Sequence, residues 1–221
     1  MQQLAAIIDD TMTSSGYRRM ISHYLFGYGS LINHQSRLAT GRTGDIIPTK
    51  VLGLRRAWNV IAYDSQMTGV GVILRDSAVC NGVLVEIEDS ELAAFDKREI
   101  EGTGFNYERV EIKRRDILGA TTMDDRLKVW TYVVRKPVAP TIDFPILQSY
   151  VDVILTGCLE FGEGFAVEFV RTTLGWESPW YNDRRCPKYI RHLKTVPYQE
   201  IDEILAEHVP QGFAMRQEIS C

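Results

Sequence analysis

The chain has 221 residues, of which 45% are hydrophobic and 24% are charged, and its formal net charge at pH 7 is −4. This composition is ordinary for a folded globular protein, and the acidic balance leaves no basic surface that would neutralise the phosphates of a nucleic acid. No apolar window approaches the length of a membrane span, and four cysteines without a CxxC pair indicate neither a disulfide framework nor a metal knuckle, so we expect a soluble, cytoplasmic protein.

The first two thirds of the chain contain the predicted strands. A short helix is expected at residues 3–12, and the first strong strand is Tyr24–Tyr28, an aromatic run that Gly29 ends. Later strands are predicted from apolar runs between Gly and Asp-Ser turns, or from alternation with a period of two. These strands are Val51–Leu54, Trp58–Tyr63, Val70–Leu74, Val83–Ile87, Tyr107–Ile112 and Val129–Val134.

The last third of the chain is predicted to be mainly helical. Three prolines between residues 136 and 145 indicate a linker or an ordered crossover. Apolar residues at helical spacing then predict helices over residues 149–161, over residues 164–174 and over Tyr198–His208. Because strands come first and helices follow, we predict an α+β fold in one domain, with a mixed sheet or small barrel beside its helices.

The segment Tyr28-Gly29-Ser30-Leu31 is the first candidate site. Gly29 lets the backbone turn tightly and lets a ligand approach without a Cβ in the way. The amides of Ser30 and Leu31 can then point outward together, an arrangement that favours a carboxylate or a developing oxyanion. An ordinary strand-to-turn connection remains the alternative, because Gly-Ser turns are common.

The second candidate site is Glu99, at the end of a predicted helix that Ser90 caps. Asp96 lies three residues earlier, so one of the two carboxylates can face inward while the neighbours stay solvated. A glycine-rich turn then leads into the strand that begins at Tyr107, and a carboxylate beside aromatic side chains can shuttle a proton near neutral pH. The alternative is a solvated, charged helix face.

Together these segments resemble the γ-glutamyl cyclotransferase superfamily, which includes AIG2-like and glutathione-specific ChaC-like members. The resemblance rests on the Tyr28–Leu31 segment, on Asp96-x-x-Glu99 and on Tyr107-x-Arg109, and the tract Gly53–Trp58 is similar to an Arg- and Trp-bearing region of the family. It covers about residues 24–134. The His-Arg-Gly run that follows this tract in the glutathione-cleaving branch is absent here, so glutathione, γ-glutamyl amino acids and γ-glutamyl amines all remain open as substrates.

The resemblance implies a small mixed β-barrel flanked by helices over residues 24–134, to which residues 140–221 add a helical C-terminal extension. It implies an enzyme that releases 5-oxoproline from a small γ-glutamyl compound, as a monomer or homodimer without a cofactor or metal. Glu99 would be the catalytic acid and base, and the substrate-binding residues would be Tyr28, Gly29, Ser30, Leu31 and Tyr107. A non-catalytic binding or interaction protein on the same fold is the alternative.

A dense cluster of aromatic and polar residues at 176–185 leaves two interpretations open. The first is a packed cap, in which Asn182 and Asp183 cap a turn and an arginine pairs with a carboxylate. The second is a wall or lid that contacts the leaving group of the substrate. A hydrolase pair of Ser30 with a histidine is a further, weaker alternative, because no GxSxG elbow is present.

Overall fold

The computed structural model describes residues 21–101, 104, 106–119, 128–189, 193 and 195–219. The helix expected at residues 3–12 lies outside the described residues, as do residues 102–103 of the glycine-rich turn.

The main sheet has six strands: β1 (Ile21–Gly27), β2 (Ile46–Ala62), β3 (Met67–Glu88), β4 (Tyr107–Ile112), β5 (Ile117–Leu118) and β6 (Lys128–Val134). Their order is β4-β6-β1-β3-β2-β5. β1 runs antiparallel to β3 and parallel to β6. β6 also pairs with β3 through Val72 and Val133, so the sheet curls back on itself into a half-barrel. With the helices described below, this confirms the predicted α+β class.

Four of the predicted strands are halves of two long ones. Val51–Leu54 and Trp58–Tyr63 fall on β2, and the two predicted strands that follow fall on β3. The Gly and Asp-Ser signals predict turns at Gly53 and Ser77, whereas both residues have positive φ and form an irregularity between paired strands. A bulge of this kind bends a strand without ending it.

The helices are α1 (His34–Leu38), α2 (Asp89–Asp96), α3 (Gln148–Leu159), α4 (Glu163–Thr172), α5 (Tyr198–His208) and α6 (Pro210–Met215). Short turns of 3-10 helix cover Ser30–Ile32 and Arg114–Asp116, and a π-helical turn covers Lys97–Glu101. A small parallel sheet joins β7 (Ile146–Leu147), β8 (Trp180–Asn182) and β9 (Gln217–Glu218). Its strands have two or three residues, too few for a periodicity to predict them.

The C-terminal helices share one hydrophobic core with the half-barrel. Trp58 of β2 packs edge-on against Tyr150 of α3 and against Trp176, with ring centroids 5.9 and 5.0 Å apart. The proline-rich segment before α3 is an ordered crossover, because Thr68 donates hydrogen bonds to the carbonyls of Phe144 and Pro145. The extension therefore packs directly against β2 and β3, and β3 pairs with β1, the strand that leads into the first candidate site.

Two of the four cysteines, Cys80 and Cys158, are buried free thiols. Cys186 is disulfide-bonded, which the cysteine spacing did not indicate. Within the described ranges, no helix is both long enough and apolar enough to span a membrane.

Candidate functional site

A small pocket opens at the carboxyl end of β1. Six residues that the sequence singled out line it: Tyr28, Gly29, Ser30, Leu31, Glu99 and Tyr107. Its other lining residues are Phe26, Gly27, Val70, Tyr132 and Tyr150. The structure thus brings the two candidate sites together, although they are some 70 residues apart in the chain.

The loop after β1 leaves little room for a side chain at Gly29. A Cβ at this position would lie 2.7 Å from Cγ2 of Val70 and 3.4 Å from the hydroxyl of Tyr150. The 3-10 turn that follows closes with a hydrogen bond from the amide of Ile32 to the carbonyl of Gly29. The amides of Ser30 and Leu31 precede that bond, so the turn does not use them, as is usual for the first N–H groups of a helix.

Glu99 lies in the π-helical turn that continues α2, and its side chain is 18% exposed. The sequence predicted an α-helix up to Glu99, whereas α2 ends at Asp96. The wider turn follows the α-helix without a break, and such single π turns occur frequently at functional sites. The Nε atom of Arg98 lies 3.2 Å from Oε1 of Glu99.

Four tyrosine hydroxyls surround this carboxylate. Burial is the main cause that raises the pKa of Tyr28 and Tyr107 well above the ordinary value of 10.0, and it raises the pKa of Tyr132 and Tyr150 as well. The negative charge of Glu99 adds to each of the four shifts. All four hydroxyls are therefore protonated at neutral pH.

Three of these hydroxyls donate their protons to acceptors of the protein. Tyr28 donates to the carbonyl of Tyr132 at 2.7 Å, and Tyr107 donates to the carbonyl of Val70 at 3.1 Å. Tyr132 donates to Oδ1 of Asp96 at 2.9 Å. The hydroxyls of Tyr28 and Tyr107 also hydrogen-bond each other. A hydroxyl oxygen that donates its proton to the protein can still accept, so these side chains suit a ligand donor such as an ammonium group.

Asp96 is not among the lining residues, and its two oxygens have protein partners. Its Oδ2 atom accepts from Nη1 of Arg109 at 2.7 Å, while Oδ1 accepts from Tyr132. The first residue of Asp-x-x-Glu and the last of Tyr-x-Arg therefore form an ion pair that orients Tyr132. Glu99 is the carboxylate of the two that faces the pocket.

Comparison with known proteins agrees with this geometry. Residues 25–149, more than half of the chain, match the family described as gamma-glutamyl cyclotransferase, AIG2-like. The chain belongs to this family. The resemblance seen in the Tyr-Gly-Ser and Asp-x-x-Glu segments is thereby confirmed.

Two solved structures resemble this member of the cyclotransferase family over most of its length. One is named gamma-glutamyl cyclotransferase; it is 12% identical, with a TM-score of 0.53, and the match covers 82% of this chain and 97% of that one. The other is an uncharacterized protein from Homo sapiens; it is 13% identical, with a TM-score of 0.52, and the match covers 83% and 98%. At these identities the likeness shows the fold. No curated protein matches the sequence significantly.

In this cyclotransferase-family chain, Arg56 of the Gly53–Trp58 tract contacts the backbone of the loop after β1 from outside the pocket. Arg56 is almost fully buried, and it donates to the carbonyl of Tyr28 at 3.2 Å and to the carbonyl and side chain of Asn81 at 2.8 and 2.7 Å. It also donates to Phe169 and Thr173 at the end of α4, and its guanidinium lies 3.7 Å from the centroid of the Phe169 ring. This arginine therefore ties β1, β3 and α4 together outside the pocket.

Three residues with polar side chains in the pocket region were not expected from the sequence. Tyr132 lies on a predicted strand, where its alternation could have placed it with Tyr107. Arg98 lies in a run of charged residues that is typical of a solvated face. Tyr150 comes from α3, one residue beyond the matched part of the chain, and no local pattern links it to the loop.

The aromatic and polar cluster at 176–185 is packed and does not line the pocket. Asp183 accepts from the amide and hydroxyl of Ser149 at 2.7 and 2.6 Å, and so fixes the first turn of α3. Arg184 donates two hydrogen bonds to Asp152 at 2.8 Å and one to Asp202 at 2.7 Å. These contacts match the packed-cap interpretation, and they fix the helix that carries Tyr150.

The described histidines do not contact Ser30. His23 contacts Trp130 and Asp89, and His34 contacts Arg37. His192 lies outside the described residues. In the part of the chain that the structure describes, no group of three or more His, Cys, Asp or Glu side chains is arranged to hold a metal ion.

Proposed function

We propose that this protein is a γ-glutamyl cyclotransferase-type enzyme that releases 5-oxoproline from a γ-glutamyl peptide or amide. In this reaction the α-amine of the substrate attacks its own γ-carbonyl, so that one C–N bond closes a five-membered lactam and the amide C–N bond to the leaving amine breaks. The observation that carries the proposal is the placement of Glu99 in one small pocket with the Ser30 and Leu31 amides.

Glu99 is proposed to move the proton in both halves of the reaction. The α-amine is largely an ammonium at neutral pH, and it must lose a proton before it can attack. The carboxylate would take that proton as general base and later deliver it to the leaving amine as general acid. The nucleophile and the electrophile belong to one molecule, so no nucleophile from the protein is required.

The loop and the tyrosines are proposed to hold the substrate in its folded conformer. The amides of Ser30 and Leu31 would stabilise the oxyanion of the tetrahedral intermediate, an effect worth about 3–4 kcal/mol for each donor. The hydroxyl oxygens of Tyr28, Tyr107 and Tyr132 would accept from the α-ammonium, because their own protons are committed. Holding the amine close to the carbonyl supplies the proximity on which cyclisation depends.

The leaving group is the part of the substrate that the pocket constrains least. We propose that this pocket takes the γ-glutamyl head, and that the rest of the substrate extends towards solvent. Glutathione, γ-glutamyl amino acids and γ-glutamyl amines are therefore all members of the class to be tested.

The test is a 5-oxoproline release assay on these three kinds of substrate, with Glu99→Gln measured beside the wild type. The variant keeps the shape of the side chain and removes its basicity, so kcat is expected to fall by about 10²- to 10⁴-fold. Glu101→Gln is the matched control, because Glu101 is exposed and lies two residues away in the same turn. Release that persists in Glu99→Gln would refute the role of Glu99. No release from any substrate would favour a binding protein on this fold.

A further inference from the structure

Arg98 contacts both halves of the pocket, although it was not among the expected site residues. Its Nη2 atom donates to the hydroxyl of Ser30 at 3.0 Å, and its Nε atom lies 3.2 Å from Oε1 of Glu99. The side chain is 24% exposed. One planar guanidinium thus joins the loop after β1 to the turn that carries the proposed acid and base.

The remaining N–H groups of Arg98 reach the segment around α1. Nη1 donates to Oγ1 of Thr40 and lies 3.4 Å from the carbonyl of Ser36, while Nη2 lies 3.5 Å from the hydroxyl of Ser36. A guanidinium presents its N–H donors in a fixed fork, and here each of its three nitrogens lies close to an acceptor of the protein. These contacts hold Arg98 within the fold.

We propose that Arg98 is a positioning residue, which holds the Ser30 loop and the Glu99 carboxylate in fixed relative positions for the reaction. The inference rests on the proposed function of this pocket. Arg98 acts through two other residues: it fixes the oxygen of Ser30, beside the amides assigned to the oxyanion, and it fixes one oxygen of Glu99. Both the charge and the planar shape of the guanidinium are needed for this role. A lysine ammonium has the charge, but it is too compact to contact Ser30 and Glu99 at the same time.

The first test compares kinetics of Arg98→Ala, Arg98→Lys and Lys97→Ala on the best γ-glutamyl substrate. Lys97 is exposed and adjacent, so its removal takes away the same charge without any pocket contact. For Arg98→Ala we expect kcat to fall by about 10- to 100-fold with KM changed by less than about threefold, since the lost contacts orient the reacting groups. The kcat of Arg98→Lys should lie between those of Arg98→Ala and the wild type. A kcat for Arg98→Ala equal to that of Lys97→Ala would overturn the proposal.

The second test does not depend on turnover. A double-mutant cycle of Arg98→Ala and Ser30→Ala is followed by urea unfolding, which reports on the link between these side chains. We expect the two changes to be non-additive by about threefold or more in the unfolding equilibrium constant. A smaller coupling between the two substitutions would contradict the proposal that Arg98 holds the Ser30 loop. If the wild type released no 5-oxoproline from any substrate, the proposed function would fail, while this cycle would still decide whether Arg98 holds the loop.

Discussion

Two clusters of charged and aromatic side chains lie on different faces of α3. The pocket cluster contains Glu99, Arg98 and the four tyrosines, of which Tyr150 comes from α3. The C-terminal cluster contains Arg184, Asp202 and Arg216, which meet Asp152 and Gln148 of the same helix. Tyr150 and Asp152 are two residues apart, and side chains at that spacing do not share a helix face.

The two clusters differ in what their polar groups are bound to. In the C-terminal cluster, charged groups are paired with each other, and Asp152 accepts from both Arg184 and Gln148. In the pocket cluster, tyrosine protons go to backbone carbonyls and to Asp96, and the tyrosine side chains line a cavity. Dense charge and tryptophan in a sequence thus mark a packed region here, while a short Gly-Ser turn and one glutamate mark the candidate site.

The largest effect on stability is expected in the C-terminal cluster. Arg184→Ala would leave the buried carboxylate of Asp152 without its arginine, and breaking such a pair costs about 3–5 kcal/mol of the free energy of unfolding. The kcat of the folded fraction should change little. Urea unfolding and the release assay check both expectations, with the exposed neighbour Arg185→Ala as control. A large loss of kcat at unchanged stability would place Arg184 in the functional cluster instead.

A smaller loss of stability, combined with a loss of activity, is expected from Gly29→Ala. The new Cβ would meet Cγ2 of Val70 at 2.7 Å, and overpacking of this kind costs about 1–3 kcal/mol. The loop must shift to relieve the contact, so kcat/KM should fall as well. The control is Gly164→Ala in α4, where an added Cβ meets nothing within 4 Å.

A second substitution sharpens this result. Val70→Ala removes the methyl group that the new Cβ would strike, so it should recover part of the activity that Gly29→Ala loses. No recovery would mean that Gly29 is needed for another reason than space.

Tyr132→Phe should lower both the stability of the protein and its kcat by small amounts. It removes the hydrogen bond to the carboxylate of Asp96, and a bond to a charged group is worth about 1.5–3 kcal/mol at most. Because Arg109 still holds Asp96, we expect a stability loss near the lower end and a kcat loss well below that of Glu99→Gln. Tyr63→Phe is the control, since Tyr63 is 60% exposed. Equal stability of the two variants would contradict the role given to this hydrogen bond.

The sequence predicted most of what is local and little of what is long-range. The Tyr28–Leu31 turn follows from glycine geometry, and the spacing of Asp96 and Glu99 predicts that one of the two carboxylates faces inward. The family resemblance assigned that place to Glu99, and the structure has the turn and Glu99 in one pocket. The π-helical turn under Glu99 has no sequence signal. Tyr150 lines the pocket, and its neighbour Ser149 donates to Asp183, a long-range contact that no pattern along the chain predicts.

Alkaline pH tests the burial of a tyrosine hydroxyl in the pocket cluster, and this is the smallest effect expected. Burial first, then nearby groups including Glu99, raises the pKa of Tyr150 above its ordinary value, so the unfolded chain releases this proton at lower pH than the folded protein does. Stability is therefore unaffected below the unfolded pKa of about 10 and falls as the pH rises beyond it, by up to about 1.4 kcal/mol per pH unit for one tyrosine. Tyr150→Phe should make this fall shallower than it is in the wild type, as urea unfolding between pH 9 and pH 11 measures. Equal slopes for the variant and the wild type would mean that the buried hydroxyl of Tyr150 does not hold its proton more tightly in the folded state.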